Sequence, residues 1–371
     1  MKRLLLVSHR PIDQAGGPAA RWRSFAKHLP ALGWEVDVVS GGGGDEFASP
    51  ERAQSRAKVM EAAGRLADPA FRLLGLRPEA MPLSTAWTPR GAREVRRRVR
   101  KGRYDAVLAT GPPFAALIAA RMAHGVVPLV VELRDLWAGN PSFDRGGPVL
   151  RRLESWVVKD AAAVVAVTPE AAADLRRRHP GARVEDIPNG FEPELLDKRR
   201  PPSGTTIIHS GTLTKDRPLA PLLRLLKPPL RLVLHGYVAP EIQAEIAESS
   251  ADVEIVPPSG WEDAVERIAA ADVALITQSR GAGDETAVAA KVYEYVALGK
   301  PVLCISDGGA TEALLRRLGA DQLTARLDNP ASMEAALARI RTGELPPPVP
   351  PEKLVPYERP RLAAELVKLL G

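Results

Sequence analysis

Four short segments carry side chains whose types and spacing could do chemistry. In His209-Ser210-Gly211-Thr212-Leu213-Thr214-Lys215-Asp216-Arg217-Pro218, an apolar run gives way to glycine, hydroxyls, two cations and a proline that would open a helix. Free backbone N–H groups at a helix start bind anions. Gly211 and Thr212 would let a diphosphate approach, and Lys215 and Arg217 would add charge-assisted hydrogen bonds to it. The G-x-x-x-x-G-K spacing of a Walker loop is absent. In the second segment, Lys291 and Glu294 stand three apart and share one helix face. A carboxylate there can accept two hydroxyl donors, as ribose recognition requires, whereas Tyr293 and Tyr295 read as core. The third, Glu132-Leu133-Arg134-Asp135-Leu136-Trp137, sets charges directly after an apolar strand. Arg134 and Asp135 then sit at the strand's carboxyl end, either as site residues or as a local ion pair. The fourth is a loop with Gly16 and Gly17 before a helix whose first turn holds Arg21. Adjacent glycines let a ligand approach the backbone, and Arg21 could meet a phosphate; a flexible loop with a surface arginine is the plainer reading.

The elements that must position these residues alternate strand and helix from end to end, which argues for mostly parallel sheets covered by helices. Strands are expected at Leu4–Val7, Val36–Val39, Ala106–Ala109, Pro128–Leu133, Val164–Val167 and Val184–Ile187. A helix runs from about Ala20 to Leu32 and Gly33 ends it. Thr168 is a good N-cap, with Glu170 in the first turn. A basic helix covers residues 92–101, and residues 46–89 lack regular pattern. Residues 190–204 are rich in charge and proline and read as a linker. The alternation then restarts with strands at Thr206–His209, Leu230–His235, Val253–Val256, Val273–Ile276 and Val302–Ile305. Helices follow at Leu219–Leu226, at Pro330–Thr342 with Gly343 ending it, and from about Arg359 to Leu370. The expectation is an N-terminal Rossmann-like domain over 1–195, a C-terminal one over 203–345, and a final helix, 356–371, packing back on the first. Each half is doubly wound, so ligands belong beyond the carboxyl ends of its strands. Two such halves facing each other would make a cleft. The absence of a G-x-S-x-G elbow and of G-x-G-x-x-G after the first strand argues against an α/β hydrolase and a dehydrogenase.

Composition narrows the class further. At 371 residues the chain exceeds the ~250–300 at which single cores give way to several domains. Cys304 is the only cysteine, so no internal disulfide or cysteine zinc cluster is available, and a cytoplasmic setting is the natural expectation. Leu4–Val7 is too short for a signal-peptide core, and no apolar run approaches the ~20 residues that span a bilayer. A net charge of +6 suits anionic partners such as nucleoside diphosphates or an acidic membrane face. No Cys/His finger or basic-aromatic interleaving points to nucleic acid.

Lys291-Val292-Tyr293-Glu294-Tyr295-Val296-Ala297-Leu298-Gly299-Lys300-Pro301-Val302 resembles the K-x-[FY]-E-Y-x-A-x-G-K-P-V signature of the retaining nucleotide-sugar glycosyltransferases of glycosyltransferase family 4. Supporting pieces are Arg134-Asp135-Leu136-Trp137, Ile187-Pro188-Asn189-Gly190-Phe191, Ser210-Gly211-Thr212-Leu213, and Gly16-Gly17 followed by Leu29-x-x-x-Gly33-Trp34-Glu35-Val36. The resemblance covers nearly the whole chain. It implies the GT-B fold, with two facing Rossmann-like domains, and metal-independent transfer of sugar from a nucleotide-sugar donor with retention, without a cofactor. By the same resemblance, the glutamate holding the donor ribose falls on Glu294 and the phosphate-loop glycine on Gly211. The basic residue six positions later falls on Arg217, where many members have lysine. Two positions depart from the family. The first acid of its E-x7-E pair falls on Thr286, with Asp284 and Glu285 as candidate substitutes, and its frequent His-Asp is here Arg134-Asp135.

The rival readings are a nucleotide-sugar epimerase of the same fold and a non-catalytic carbohydrate- or nucleotide-binding protein. The acceptor is expected to be a small molecule or a lipid-linked glycan. Peripheral contact with an anionic membrane is suggested by Arg90–Arg103, which holds eight basic residues and one acid. Ala92, Val95 and Val99 form a narrow apolar stripe on that helix. Phe71, Leu73, Leu74, Leu76, Met81 and Leu83 form an irregular apolar stretch upstream.

Overall fold

The computed structural model describes residues 1–12, 17–40, 84–141, 144, 146–217, 219–278 and 282–371. Gly16 and the apolar stretch Phe71–Leu83 lie outside the described residues. The chain divides into two compact units: Met1–Pro188 with Leu362–Gly371, and Asn189–Arg361.

In the first unit the described elements run β1 (Lys2–Ser8), α1 (Gly17–His28), β2 (Trp34–Ser40), α2 (Ser84–Lys101), β3 (Ala106–Gly111), α3 (Ala115–Ala123), β4 (Leu129–Leu133), α4 (Pro148–Val158), β5 (Ala163–Ala166), α5 (Pro169–Arg178) and β6 (Val184–Asp186). The strands form one parallel sheet in the order β2-β1-β3-β4-β5-β6. The order reverses between β1 and β3. Leu4-Leu5-Leu6-Val7 and Ala106-Val107-Leu108-Ala109 are completely buried, as unbroken apolar runs in a sheet covered on both faces should be. Successive side chains go to opposite faces. Leu5, Val7, Val107 and Ala109 meet α2, α3, α4 and α5, while Leu4, Leu6, Ala106 and Leu108 meet α1.

In the second unit come β7 (Thr206–Ser210), α6 (Ala220–Leu223), β8 (Arg231–His235), α7 (Pro240–Ala247), β9 (Val253–Val256), α8 (Trp261–Ala270), β10 (Val273–Thr277), α9 (Lys291–Ala297), β11 (Val302–Ile305), α10 (Ala310–Leu318), β12 (Thr324–Ala325), α11 (Pro330–Thr342) and the short α12 (Pro351–Leu354). Its sheet is also parallel, ordered β12-β11-β10-β7-β8-β9, and reverses between β7 and β10. The last helix, α13 (Arg359–Leu370), places Leu362, Ala363, Leu366 and Leu369 in the first unit's core against Trp22 and Phe25.

Local signals set several ends. Thr168 Oγ accepts a hydrogen bond from the Ala171 N–H at 3.0 Å, capping α5. Gly33 and Gly343 adopt left-handed φ values of 84° and 75° where helices stop.

Other expectations shift. The helix expected from Ala20 to Leu32 ends as α1 at His28 and finishes in a 3-10 turn, Leu29–Leu32, where Pro30 has no N–H to give. The basic helix begins at Ser84 rather than near 92. The boundary between units falls at Pro188/Asn189 rather than after residue 195. Phe191 is fully buried in the second core, donates its N–H to Tyr357 O at 3.0 Å and accepts from the Arg359 N–H at 3.0 Å.

Candidate active site

In the second unit the carboxyl end of β7 lies at the point where strand order reverses, the usual place for a ligand in such sheets. Gly211 follows β7 with φ +129°, and a Cβ there would stand 3.0 Å from Lys291 Nζ. Gly236, at the end of β8, has φ +127°, and a Cβ on it would lie 2.3 Å from the Gly211 carbonyl oxygen. The Gly211 N–H donates to His235 O at 2.8 Å. The Ser210 N–H donates to the Tyr295 hydroxyl at 2.9 Å, tying this turn to α9. Tyr295 and Tyr293 are buried and serve the core, as the plainer reading held.

Lys291 opens α9 and points back at this turn. Its Nζ donates to His209 Nε2 at 3.1 Å, while His209 Nδ1 faces Leu275 O at 3.2 Å. That pair of contacts fits a neutral imidazole protonated on Nδ1. Burial, then the neighbouring Lys291 charge, holds the His209 pKa well below its ordinary value. Burial, then the Arg217 guanidinium, pushes Lys291 down to about 7. Arg217 Nε is buried with no hydrogen-bond partner among the described residues. Two cations and a neutral histidine thus surround a glycine turn, an arrangement whose charge suits an anion.

One turn further on, Glu294 Oε1 accepts from the Trp261 indole N–H at 3.3 Å and lies 3.9 Å from Arg359 Nη2. Burial raises the Glu294 pKa, and Arg359 opposes the rise. Arg359 also lies 3.5 Å from Glu192 Oε1 and reaches Asn189 O at 3.4 Å. Trp261, at the start of α8, is 44% exposed, so an indole face stands open beside the carboxylate. Neither Arg359 nor Trp261 was expected from the sequence. Arg359 lies 65 positions from Glu294 with no motif of its own, and Trp261 carries only the weak signal of a glycine before it.

Gly211, Arg217, Lys291 and Glu294 therefore come together. Thr212 and Lys215 lie on the exposed side of the loop, and no contact joins Lys215 to that group among the described residues. Glu285 is exposed, and Asp284 sits half-buried in a 3-10 turn whose carbonyl leaves Gly309 no room for a Cβ.

The first unit presents a second set at its own strand ends. Arg134, after β4, donates its backbone N–H to Gly111 O at 2.9 Å and its guanidinium to Pro112 O. Burial raises the Asp135 carboxyl, with Arg134 opposing. Trp137 stacks on Phe114 with ring centroids 4.7 Å apart and belongs to the core. His9, at the end of β1, meets Trp87 edge-on at 5.4 Å. Gly17 opens α1. Arg21 is not a phosphate ligand here. It is 2% exposed, pairs with Glu132 at 2.9 Å and donates to Ile187 O at 2.9 Å and to Pro188 O. Burial pushes the Glu132 carboxyl up, but Arg21, Thr110 and Trp22 outweigh it and hold the pKa below the usual value. A buried guanidinium needs this carboxylate and these carbonyls, so Arg21 serves the unit's interior. Among the described residues, no group of three or more His, Cys, Asp or Glu side chains is placed to hold a metal.

Residues 15–195 match Glycosyltransferase Family 4. No curated protein matches the chain by sequence. Among solved structures, the chain is similar to the UDP-forming α,α-trehalose-phosphate synthase of Burkholderia xenovorans, in complex with glucose-6-phosphate, at 13% identity and TM-score 0.68, covering 100% of both chains. It is similar to a glycosyltransferase of Rickettsia africae at 12% identity and TM-score 0.64, covering 100% of this chain and 97% of that one. The UDP-GlcNAc 2-epimerase of Neisseria meningitidis, bound to UDP-GlcNAc, is similar at 14% identity and TM-score 0.55, covering 100% and 99%. With Glycosyltransferase Family 4 matched over residues 15–195 and two parallel six-stranded sheets that share the architecture of these enzymes, the chain is a glycosyltransferase with the GT-B fold.

Proposed function

We propose that the enzyme transfers a sugar from a nucleotide-sugar donor, held by the second unit, to a small-molecule or lipid-linked glycan acceptor taken by the first. Transfer proceeds with retention and without metal or cofactor, in the cytoplasm and at an anionic membrane face. The observation that carries the donor site is the meeting of Lys291 and Arg217 beside Gly211, one helical turn from Glu294. The leaving nucleoside diphosphate gains negative charge as the anomeric C–O bond breaks. Lys291 and Arg217 neutralise that charge from fixed positions, and a desolvated setting makes each worth more than in water. Gly211 lets the phosphates approach the backbone, and Glu294 accepts from the two ribose hydroxyls, displacing or sharing the Trp261 N–H. For retention, the acceptor oxygen attacks from the face the diphosphate leaves, and its proton passes to the departing phosphate oxygen.

An epimerase shares the fold, so product identity decides between the two reactions. A donor-by-acceptor screen read by mass spectrometry and anomeric NMR is expected to give a transferred, retained glycoside, undiminished by EDTA. Glu294→Gln is expected to weaken nucleoside-diphosphate binding by roughly 2–5 kcal/mol. An epimerised free donor, an inverted product, or activity lost in EDTA and restored by magnesium would each defeat the corresponding part of the reading.

A further inference from the structure

The helices α2, α3 and α4 lie side by side on one face of the first sheet. The narrow apolar stripe of α2 does not face outward: Ala92 and Val95 are buried in the core and Val99 packs against it. The outward side of α2 carries Arg93, Arg96 and Arg100, all exposed. Beside it, Arg96 donates to Met122 O at 3.1 Å. Met122 is 50% exposed, and Val126, on the turn after α3, is fully exposed. On the far side, Arg121 stacks at 5.1 Å on the ring of Trp156, which is 39% exposed on α4. Arg152 and Lys159 flank that tryptophan and are exposed.

The acids of these helices are spoken for. Glu94 is held by Arg97 and Arg98, and its carboxyl falls to about 2. Glu154 points inward to Arg178, His179 and the Ala138 N–H. Asp160, just beyond α4, pairs with Arg121. What remains is a layer of arginine and lysine with three apolar side chains standing out of it.

We propose that this layer docks on an anionic lipid bilayer, with Met122, Val126 and Trp156 entering the interface and the surrounding cations meeting lipid phosphates. Val126 and Met122 offer no hydrogen bond and no stacking face, so a nucleic acid gains nothing from them, whereas hydrocarbon does. Tryptophan with one wet end suits the headgroup level. Cationic side chains near an anionic leaflet add attraction that salt screens within about 10 Å. The apolar tips lie toward the carboxyl ends of α3 and α4, away from the strand ends that carry His9 and Arg134. Docking therefore anchors the protein without covering those residues. The inference names the surface behind the membrane-face reading and stands apart from the transfer chemistry.

Co-sedimentation of the full chain with phosphatidylglycerol-rich vesicles and with pure phosphatidylcholine vesicles tests it. Binding is expected to the first and to be lost at high salt. Arg93→Gln with Arg96→Gln and Arg100→Gln is expected to weaken it by about a hundredfold, near fivefold per charge. Val126→Asp is expected to weaken it while leaving circular dichroism and nucleoside-diphosphate affinity unchanged. A blue shift in emission on binding is expected to disappear in Trp156→Phe. Absence of vesicle binding, equal binding to neutral lipid, or undiminished binding by the triple variant overturns the proposal. So does capture by an acidic soluble protein in place of lipid. A failed sugar-transfer assay does not bear on it, because the readout is binding.

Discussion

Lys291 is the residue whose protonation the site controls most directly. Its ammonium is buried beside Arg217, and burial first, then that like charge, brings it to about 7 from 10.5. Below pH 7 the lysine is charged in both folded and unfolded chains, and the cost of burying it is fully present. As pH rises from about 7 to 10.5 the unfolded chain keeps a proton that the folded chain has lost, so this group's contribution turns toward stability. A bound diphosphate favours the charged form, so affinity is expected to fall as pH rises through 7, with proton uptake on binding. Calorimetry in buffers of different ionisation enthalpy measures that uptake. Lys291→Met is expected to abolish it and to weaken nucleoside-diphosphate binding by about tenfold to a hundredfold. Proton uptake persisting in the variant would assign it to another group.

At the scale of elements, the site depends on two strand ends that touch through glycines. Gly236→Ala would set a Cβ 2.3 Å from the Gly211 carbonyl while keeping φ near +127°, so collision and backbone strain act together. The expected loss is about 1–3 kcal/mol from the φ alone, with a displaced β7 turn and weakened nucleotide binding. Gly343→Ala is the control. Its φ is +75° with nothing within 4 Å, so it is expected to cost about 1 kcal/mol and leave the nucleotide untouched. Urea denaturation and nucleotide titration of both variants check the contrast. Equal effects on binding would show that the β7–β8 contact does not shape the site. Such turns were legible in sequence where a glycine closed a run, as at Gly33, Gly211 and Gly343. Gly236 was not singled out, because its demand comes from another strand.

Across the whole molecule, two units with separate cores make stability and ligand binding separable. Glu132 takes the Arg21 guanidinium, the Trp22 indole N–H and the Thr110 hydroxyl inside the first unit. Glu132→Ala leaves a buried cation uncompensated, at an expected cost of about 3–5 kcal/mol. Nucleoside-diphosphate affinity, which the proposed donor site assigns to the second unit, is expected to stay within about twofold in native buffer, against a tenfold change for each 1.4 kcal/mol of binding energy. Parallel loss of both would show that the units do not respond independently.

The sequence by itself determined the alternation of buried strands and covering helices, the caps at Thr168 and Gly343, and the positions of Gly211, Arg217, Lys291 and Glu294. These depend on interactions spanning a few residues, or on a motif whose members are close in the chain. Tertiary structure alone decided which charged side chains gather at the glycine turn and which are paired inside the protein. Arg21 faces Glu132 across 111 positions, and Arg359 closes on Glu294. Lys215 stays exposed while Arg217, two residues on, lies near Lys291. The stripe of α2 turned into the core, and the apolar tips on the outer layer came from α3, the turn after it, and α4. An ionisable or apolar group acquires its role from the partner that desolvates it, and folding brings that partner from far along the chain.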